Sequence, residues 1–365
     1  MKMSISLRNL FTSQSFLFFF IIITILEVVG YFTHDNNYYF DQRYITQSTD
    51  SIVNEISTDT PFWKYKPLTK IRSTGIYTSF IEAKLEYDCI FKTNKYGFVN
   101  TGKFNGIADF LILGDSLTEG HGGCPWLTEE TIDLEPNLKN IKILNGGFMS
   151  AGIRKFEQVL YYARNVAKVK KLIIIAISND FKRDGPSKWH VDRDCYGRQV
   201  CSSVDYFYFR KFSTSIAKLK AESKQRRKER GPNILSEFSR YSFTIRTIIN
   251  YKKIFSNYLF AENVEKIKSR EKSFQKNFNA LSRIHELYPD LSIILVPTRD
   301  EVGMFGKKNK DSQFIEKHLK KENIKFNWCD LKGNDFLPLD GHPNKVGYKK
   351  MFQCMVNEIK KYEKN

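Results

Sequence analysis

The stretch Ala108–Gly123, ADFLILGDSLTEGHGG, decides how the rest of the chain is read. Ala108 and the run Phe110-Leu111-Ile112-Leu113 have the length and composition of a short buried strand. The run passes straight into Gly114-Asp115-Ser116-Leu117, and Gly120, Gly122 and Gly123 follow. A small residue ahead of a serine at the end of a buried strand lets the backbone turn sharply and lifts the hydroxyl out of the core. That position suits a nucleophile. An ordinary strand-to-helix turn with Ser116 as the helix N-cap fits the same letters.

Outward from this stretch the chain alternates in an α/β manner. Ile141 to Leu144 reads as a second strand ending at Asn145-Gly146-Gly147, followed by Phe148-Met149-Ser150-Ala151-Gly152. Ile153 to Lys168 reads as a helix with Phe156, Val159, Leu160 and Ala163 on one face. Leu172–Ile177 (LIIIAI) and Leu291–Val296 (LSIILV) have the uninterrupted apolar character of strands buried on both faces, the first ending at Ser178-Asn179-Asp180 and the second stopped by Pro297. Strands alternating with helices predict a doubly wound parallel sheet, which binds ligands beyond the carboxyl ends of its strands. All three polar motifs fall at such ends.

Near the C-terminus, Leu339-Asp340-Gly341-His342-Pro343-Asn344-Lys345-Val346-Gly347-Tyr348 precedes a helix whose apolar side carries Tyr348, Met351, Phe352 and Met355. An imidazole that accepts a serine proton must be held in one tautomer, and a neighbouring carboxylate does this. Asp340 can orient one nitrogen of His342 while the other faces Ser116. A plain surface turn is the alternative. The remaining histidines (His34, His121, His190, His285 and His318) are read as lacking such a partner, with His121 the one competitor because it follows Ser116 by five residues.

The full chain has 365 residues, room for one large α/β domain with insertions. Its formal charge of +18 suits an anionic neighbour such as a membrane surface, nucleic acid or acidic polysaccharide, or a lysine-rich proteome. Residues 1–14 contain Lys2 and Arg8 and no acid, and Ser15 to Phe32 (SFLFFFIIITILEVVGYF) is almost wholly apolar. About 18 such residues reach across a bilayer core as a helix, and the preceding positive charge places the N-terminus in the cytoplasm. The expectation is an uncleaved single-pass anchor over 15–32 with the rest extracytoplasmic. A cleaved signal peptide is the rival, and Val28-Val29-Gly30 lacks the small-residue cleavage pattern.

Six cysteines are present, an even number that an exported chain can pair. Cys195 and Cys201 bracket a short polar loop, CYGRQVC, and are the expected pair; a bond from Cys124 would brace the region of Ser116, with its partner left open. No cysteine or histidine spacing suggests zinc, so no metal is expected. Residues 33–105 are too rich in aromatics for a disordered linker and read as strands and turns, a juxtamembrane β-rich region to which no chemistry is assigned.

Taken in order, these motifs resemble the blocks of the GDSL, or SGNH, hydrolases. Gly114-Asp115-Ser116-Leu117 resembles the first block, and Asp340-Gly341-His342-Pro343-Asn344 the last, in the form found in membrane-anchored members; Thr93-Asn94-Lys95-Tyr96-Gly97-Phe98 resembles a turn that often precedes their hydrolase domain. The resemblance covers about residues 90–360 and implies a flavodoxin-like doubly wound sheet over 106–360. It implies Ser116 as nucleophile, His342 as general base and Asp340 as its orienting group. The oxyanion hole would take the Ser116 N–H, the Asn179 side-chain amide and a second-block N–H. The family's usual glycine for that last donor falls at Ser150, with Gly147 or Gly152 as substitutes; the glycine that usually opens the third block falls at Ile177. The implied activity is an esterase or O-acyltransferase without cofactor, acting on small acyl (acetyl) groups of a surface polysaccharide. A lipase-like esterase and a non-catalytic glycan-binding or assembly protein are the alternatives.

An insertion of roughly 181–288 separates the third and last blocks. It holds aromatics (Trp189, Tyr206–Phe209), a basic run from Lys218 to Arg230, and amphipathic stretches near Ile234–Phe255 and Val264–Glu286. In an exported enzyme the basic run is a solvated face or a surface for an acidic glycan, and nucleic acid is not expected as a partner. The insertion is expected to act as a lid beside Ser116.

Overall fold

The apolar runs around Phe110, Leu144, Ile174 and Ile293 become neighbouring strands of one parallel sheet. The computed structural model describes residues 13–33, 42–49, 52–56, 61–79, 82–99, 106–183, 207–210, 213–229, 242, 264–303 and 308–363. In chain order these form α1 (Ser13–Thr33), β1 (Gln42–Thr49), β2 (Ile52–Ile56), β3 (Pro61–Tyr65), β4 (Lys70–Thr78) and β5 (Ala83–Lys92). Then come β6 (Ile107–Gly114), α2 (Ser116–Glu119), α3 (Glu129–Asp133), β7 (Ile143–Gly147), α4 (Ile153–Val166) and β8 (Lys168–Ala176). The chain finishes with β9 (Phe207–Arg210), α5 (Ile216–Glu229), α6 (Val264–Leu287), β10 (Ser292–Leu295), α7 (Arg299–Gly303), α8 (Lys310–Lys321), β11 (Lys325–Trp328) and α9 (Lys345–Glu363).

The parallel sheet has the order β11-β10-β8-β6-β7. Counted by appearance in this sheet, that is the 2-1-3-4-5 order of flavodoxin-like folds, whose switch point lies between the first and third strands. Those strands are β6 and β8, and Ser116 follows β6 directly. The strands are apolar throughout because both faces are covered. Along β8, Leu172, Ile174 and Ala176 enter the core shared with α4, α6 and α8, while Ile173 and Ile175 enter the one shared with α9.

Two stretches sit differently from their sequence reading. The last part of the expected insertion is α6, a crossover helix of the sheet layer whose Phe274, Phe278, Leu281 and Ile284 are core residues beside α4. Its length and apolar face are those of a core helix, so the lid expectation does not extend to it. The described remainder, β9 and α5, joins a second sheet of order β5-β4-β1-β9. There α5 buries Leu219 against Tyr44 and Ile76, and Tyr44 donates to Glu222 at 2.7 Å. The segment Ile234–Phe255, Trp189 and the Cys195–Cys201 pair lie outside the described residues.

The β-rich region preceding β6 shares the main core through Tyr65, Ile71, Phe91, Phe98 and Val99. The Asn94 side chain organises the turn after β5 by accepting the N–H groups of Tyr96 and Phe98. A disulfide joins Cys89 of this sheet to Cys124 in the glycine-rich loop after Ser116, and a second joins Cys329 to Cys354 on α9. In α1 the side chains are described over residues 18–28, and most are exposed. Among the described residues no helix is long and apolar enough to cross a membrane.

Candidate active site

The strand-to-helix turn at Ser116 is set by its neighbours. A Cβ on Gly114 would lie 2.7 Å from the Ile175 carbonyl oxygen and closer still to the Thr118 hydroxyl, so only glycine fits where β6 ends against β8. Asp115, not Ser116, caps α2, its Oδ1 accepting the Leu117 N–H at 2.9 Å. The serine hydroxyl is thereby free of capping duty. It donates to His342 Nε2 at 2.8 Å.

His342 sits in the loop before α9, where Asn344 Oδ1 accepts the N–H groups of Val346 and Gly347 and starts the helix. Its Nδ1–H donates to Asp340 Oδ1 at 2.5 Å, which fixes the tautomer that presents Nε2 to Ser116. The same Asp340 oxygen receives Arg43 Nη2 at 2.6 Å, and the carboxylate is fully buried. Burial opposes its ionisation, but the charges of His342 and Arg43 and the His342 hydrogen bond overcome this and hold the carboxyl well below the usual carboxylate range. Ser116, His342 and Asp340 therefore form a continuous hydrogen-bonded chain.

The other residues expected to donate follow the neighbouring strands β7 and β8. Asn179 lies in a short 3-10 turn at the end of β8, exposed, with no side-chain hydrogen bond among the described residues. The turn's own bond is supplied by Asp180, which accepts the Ile177 N–H at 3.0 Å. Ser150 adopts φ +57°, the left-handed conformation that glycine would take without strain, and among the described residues nothing accepts its N–H. Gly147 is different: its N–H already donates to Asn145 Oδ1 at 2.9 Å. Gly152 caps α4 through its carbonyl, which accepts the N–H groups of Lys155 and Phe156, and its own N–H has no acceptor among the described residues. Of the second-block candidates, Ser150 and Gly152 keep N–H groups without an acceptor among the described residues, and Ser150 holds the position of the family's usual donor.

One guanidinium ties these segments together. Arg183 Nη1 donates to Asp180 Oδ1 at 2.7 Å, to Asp115 Oδ2 at 3.1 Å, and to the Ala151 carbonyl. It therefore touches the residue next to Ser116, the residue next to Ser150 and the residue next to Asn179. Burial and the charge of Asp115 push the Asp180 carboxyl well up, favouring a protonated form that hydrogen-bonds its neighbour, with Arg183 acting against the rise.

His121 has a partner that the sequence reading overlooked. Its Nε2 lies 3.1 Å from the wholly buried Glu119, at the same two-residue spacing as Asp340 and His342, and Tyr65 also donates to Glu119. Its ring is 5.8 Å from that of His342, but it is 1 % exposed and faces Ser73 rather than Ser116. It belongs to the packing beneath the site. Arg43 and Arg183 also escaped the sequence reading; an Asp-x-x-Arg spacing from Asp180 was the only local signal for either.

Among the described residues no group of three or more His, Cys, Asp or Glu side chains is placed to hold a metal ion. No known family model matches the chain, and no curated protein matches it.

Proposed function

We propose that this protein is a membrane-anchored serine esterase or O-acyltransferase of the SGNH type, acting outside the cytoplasm on small acyl esters of a surface polysaccharide. The observation that carries the reading is the Ser116–His342–Asp340 hydrogen-bonded chain at the switch point of a parallel sheet. Two disulfides agree with an oxidising compartment, and the apolar stretch Ser15–Phe32 agrees with an anchor.

In this mechanism Ser116 Oγ attacks the ester carbonyl carbon while its proton passes to His342 Nε2. Asp340 stabilises the imidazolium that forms. The tetrahedral oxyanion is met by the N–H groups of Ser116 and Ser150 and by the Asn179 amide; one such donor typically contributes about 2.7–4 kcal/mol to the transition state. His342 then returns the proton to the leaving alkoxide, which leaves an acyl group on Ser116. Attack on that acyl group by water gives an esterase, and attack by a sugar hydroxyl gives a transferase.

The test is active-site labelling of the full chain with a fluorophosphonate probe, with adduct mapping by mass spectrometry. The reading requires an adduct on Ser116, its absence in Ser116→Ala and slow formation in His342→Ala. Absence of an adduct on the folded wild-type protein would favour a non-catalytic glycan-binding role.

A further inference from the structure

The second sheet reaches the catalytic loop through an irregularity in its own pairing. Between β4 and β5, Gly75 faces Tyr87 and the next partners are Ile76 and Leu85, so Glu86 is an extra, unpaired residue. Such a bulge bends a strand and re-aims side chains. The bulge depends on Gly75, because a Cβ there would lie 2.2 Å from the Tyr87 ring. Glu86 Oε1 accepts the N–H of Leu339 at 2.7 Å, next to Asp340. Its Oε2 is buried with no hydrogen-bond partner among the described residues. From β1, Arg43 pairs with the Asp340 side chain itself.

We propose that the β5 bulge is part of the catalytic apparatus, with Glu86 a positioning residue that acts through the Leu339 and Asp340 main chain to hold Asp340 against His342. This rests on the reading of Ser116 as the nucleophile, but its structural half does not. The loop Leu339–His342 belongs to no helix or strand; the Leu337 N–H closes it on the His342 carbonyl at 2.8 Å, and further anchors come from outside. Glu86 supplies one for the main chain and Arg43 one for the side chain.

The anchor is proton-linked. Burial raises the Glu86 carboxyl to about 7, with the Leu339 N–H acting against this and the Asp340 charge adding to it. The other groups bearing on Glu86 are Lys84 on its own strand and the hydroxyls of Tyr77 and Tyr87 beside Asp340 and Arg43. Above pH 7 the ionised form is the stronger acceptor for a backbone N–H.

Two measurements on the full chain test this: amide hydrogen exchange over residues 336–343, and the rate at which an activated acetyl ester acylates Ser116, each from pH 5.5 to 9. Glu86→Ala is expected to lower protection of the Leu339 and Asp340 amides tenfold or more and to slow acylation by a similar factor. Glu86→Gln keeps an acceptor and mimics the protonated acid. It is expected to stay within about threefold of wild type below pH 7 and to lack the rise in protection that wild type shows above it. Unchanged protection in Glu86→Ala overturns the proposal. So does lost protection with an unchanged acylation rate. Failure of the wild type to be acylated at all would refute the nucleophile reading and with it a catalytic role for Glu86, while the exchange data would still decide whether Glu86 anchors the loop.

Discussion

Arg43 Nη2 stands 2.6 Å from Asp340 Oδ1, joining the first strand of the accessory sheet to the acid of the triad across 297 positions of sequence. The contact makes the region ahead of β6 part of the site. A hydrogen bond to a charged group contributes roughly 1.5–3 kcal/mol, and Arg43 is about one-third exposed, so part of this is screened. Arg43→Met is expected to lower kcat/KM on an activated acetyl ester about tenfold, with partial recovery in Arg43→Lys. The pH profile should move as well. Asp340 is an acid held below its ordinary range, so its ion pairing is intact at neutral pH and is lost as pH falls through the folded-state value. Without Arg43 that value rises, and the acid limb of the activity profile should shift upward.

Arg183 invites a stability measurement. Removing one partner of a buried charge cluster leaves the other charges uncompensated, typically at about 3–5 kcal/mol. Arg183→Ala should therefore cost about that much near pH 8, read by denaturant titration. The sign of the pH dependence follows from Asp180. Its folded-state value is raised, so its contribution is fully present at low pH and is lost as pH rises from the ordinary carboxylate range through the raised value. The penalty of Arg183→Ala should accordingly be smaller at pH 5 than at pH 8. An equal penalty at both would show that Asp180 does not titrate in this window.

Ser150 is strained, and the strain can be removed without removing the donor. A non-glycine residue in the left-handed region costs about 1–2 kcal/mol, partly offset in a glycine variant by a more flexible unfolded chain. Ser150→Gly should raise stability by up to about 1 kcal/mol and leave the acylation rate within a few-fold. A large rate loss would mean that the Ser150 hydroxyl, not its N–H, serves the reaction.

The sheet and the triad were legible because they rest on local rules. Uninterrupted apolar runs mark strands buried on both faces, and Asp340-x-His342 places a carboxylate beside an imidazole within one turn. The same spacing at Glu119-x-His121, overlooked in the sequence, shows that the rule alone does not choose the histidine; only the three-dimensional position relative to Ser116 does. Arg43 and Glu86 could not be read at all. Their role depends on a pairing irregularity opposite Gly75 and on the packing of one sheet against another, neither of which leaves a periodic trace. The edge strand β11 was missed because Lys325, Phe326, Asn327 and Trp328 are half exposed and lack an apolar run. The reading of Ser116 as an N-cap failed because Asp115 takes that role, as Asp180 supplies the bond of the turn that holds Asn179.

The two disulfides should separate in their effects. Closing a loop of 25 to 35 residues stabilises by about 2–4 kcal/mol in most proteins, so either double serine variant should unfold more readily. Cys329–Cys354 ties the end of the parallel sheet to α9, and neither cysteine lies in a segment that carries Ser116, Asp340 or His342. Cys89–Cys124 joins β5, the strand that carries Glu86, to the loop that leaves Ser116. Loosening it relaxes both sides of the triad together. We expect Cys89→Ser with Cys124→Ser to lower stability and also to slow acylation of Ser116 severalfold under conditions where the protein is still folded. The Cys329→Ser, Cys354→Ser pair should lower stability alone. If both pairs slow acylation equally, the bond at Cys124 acts only on global stability.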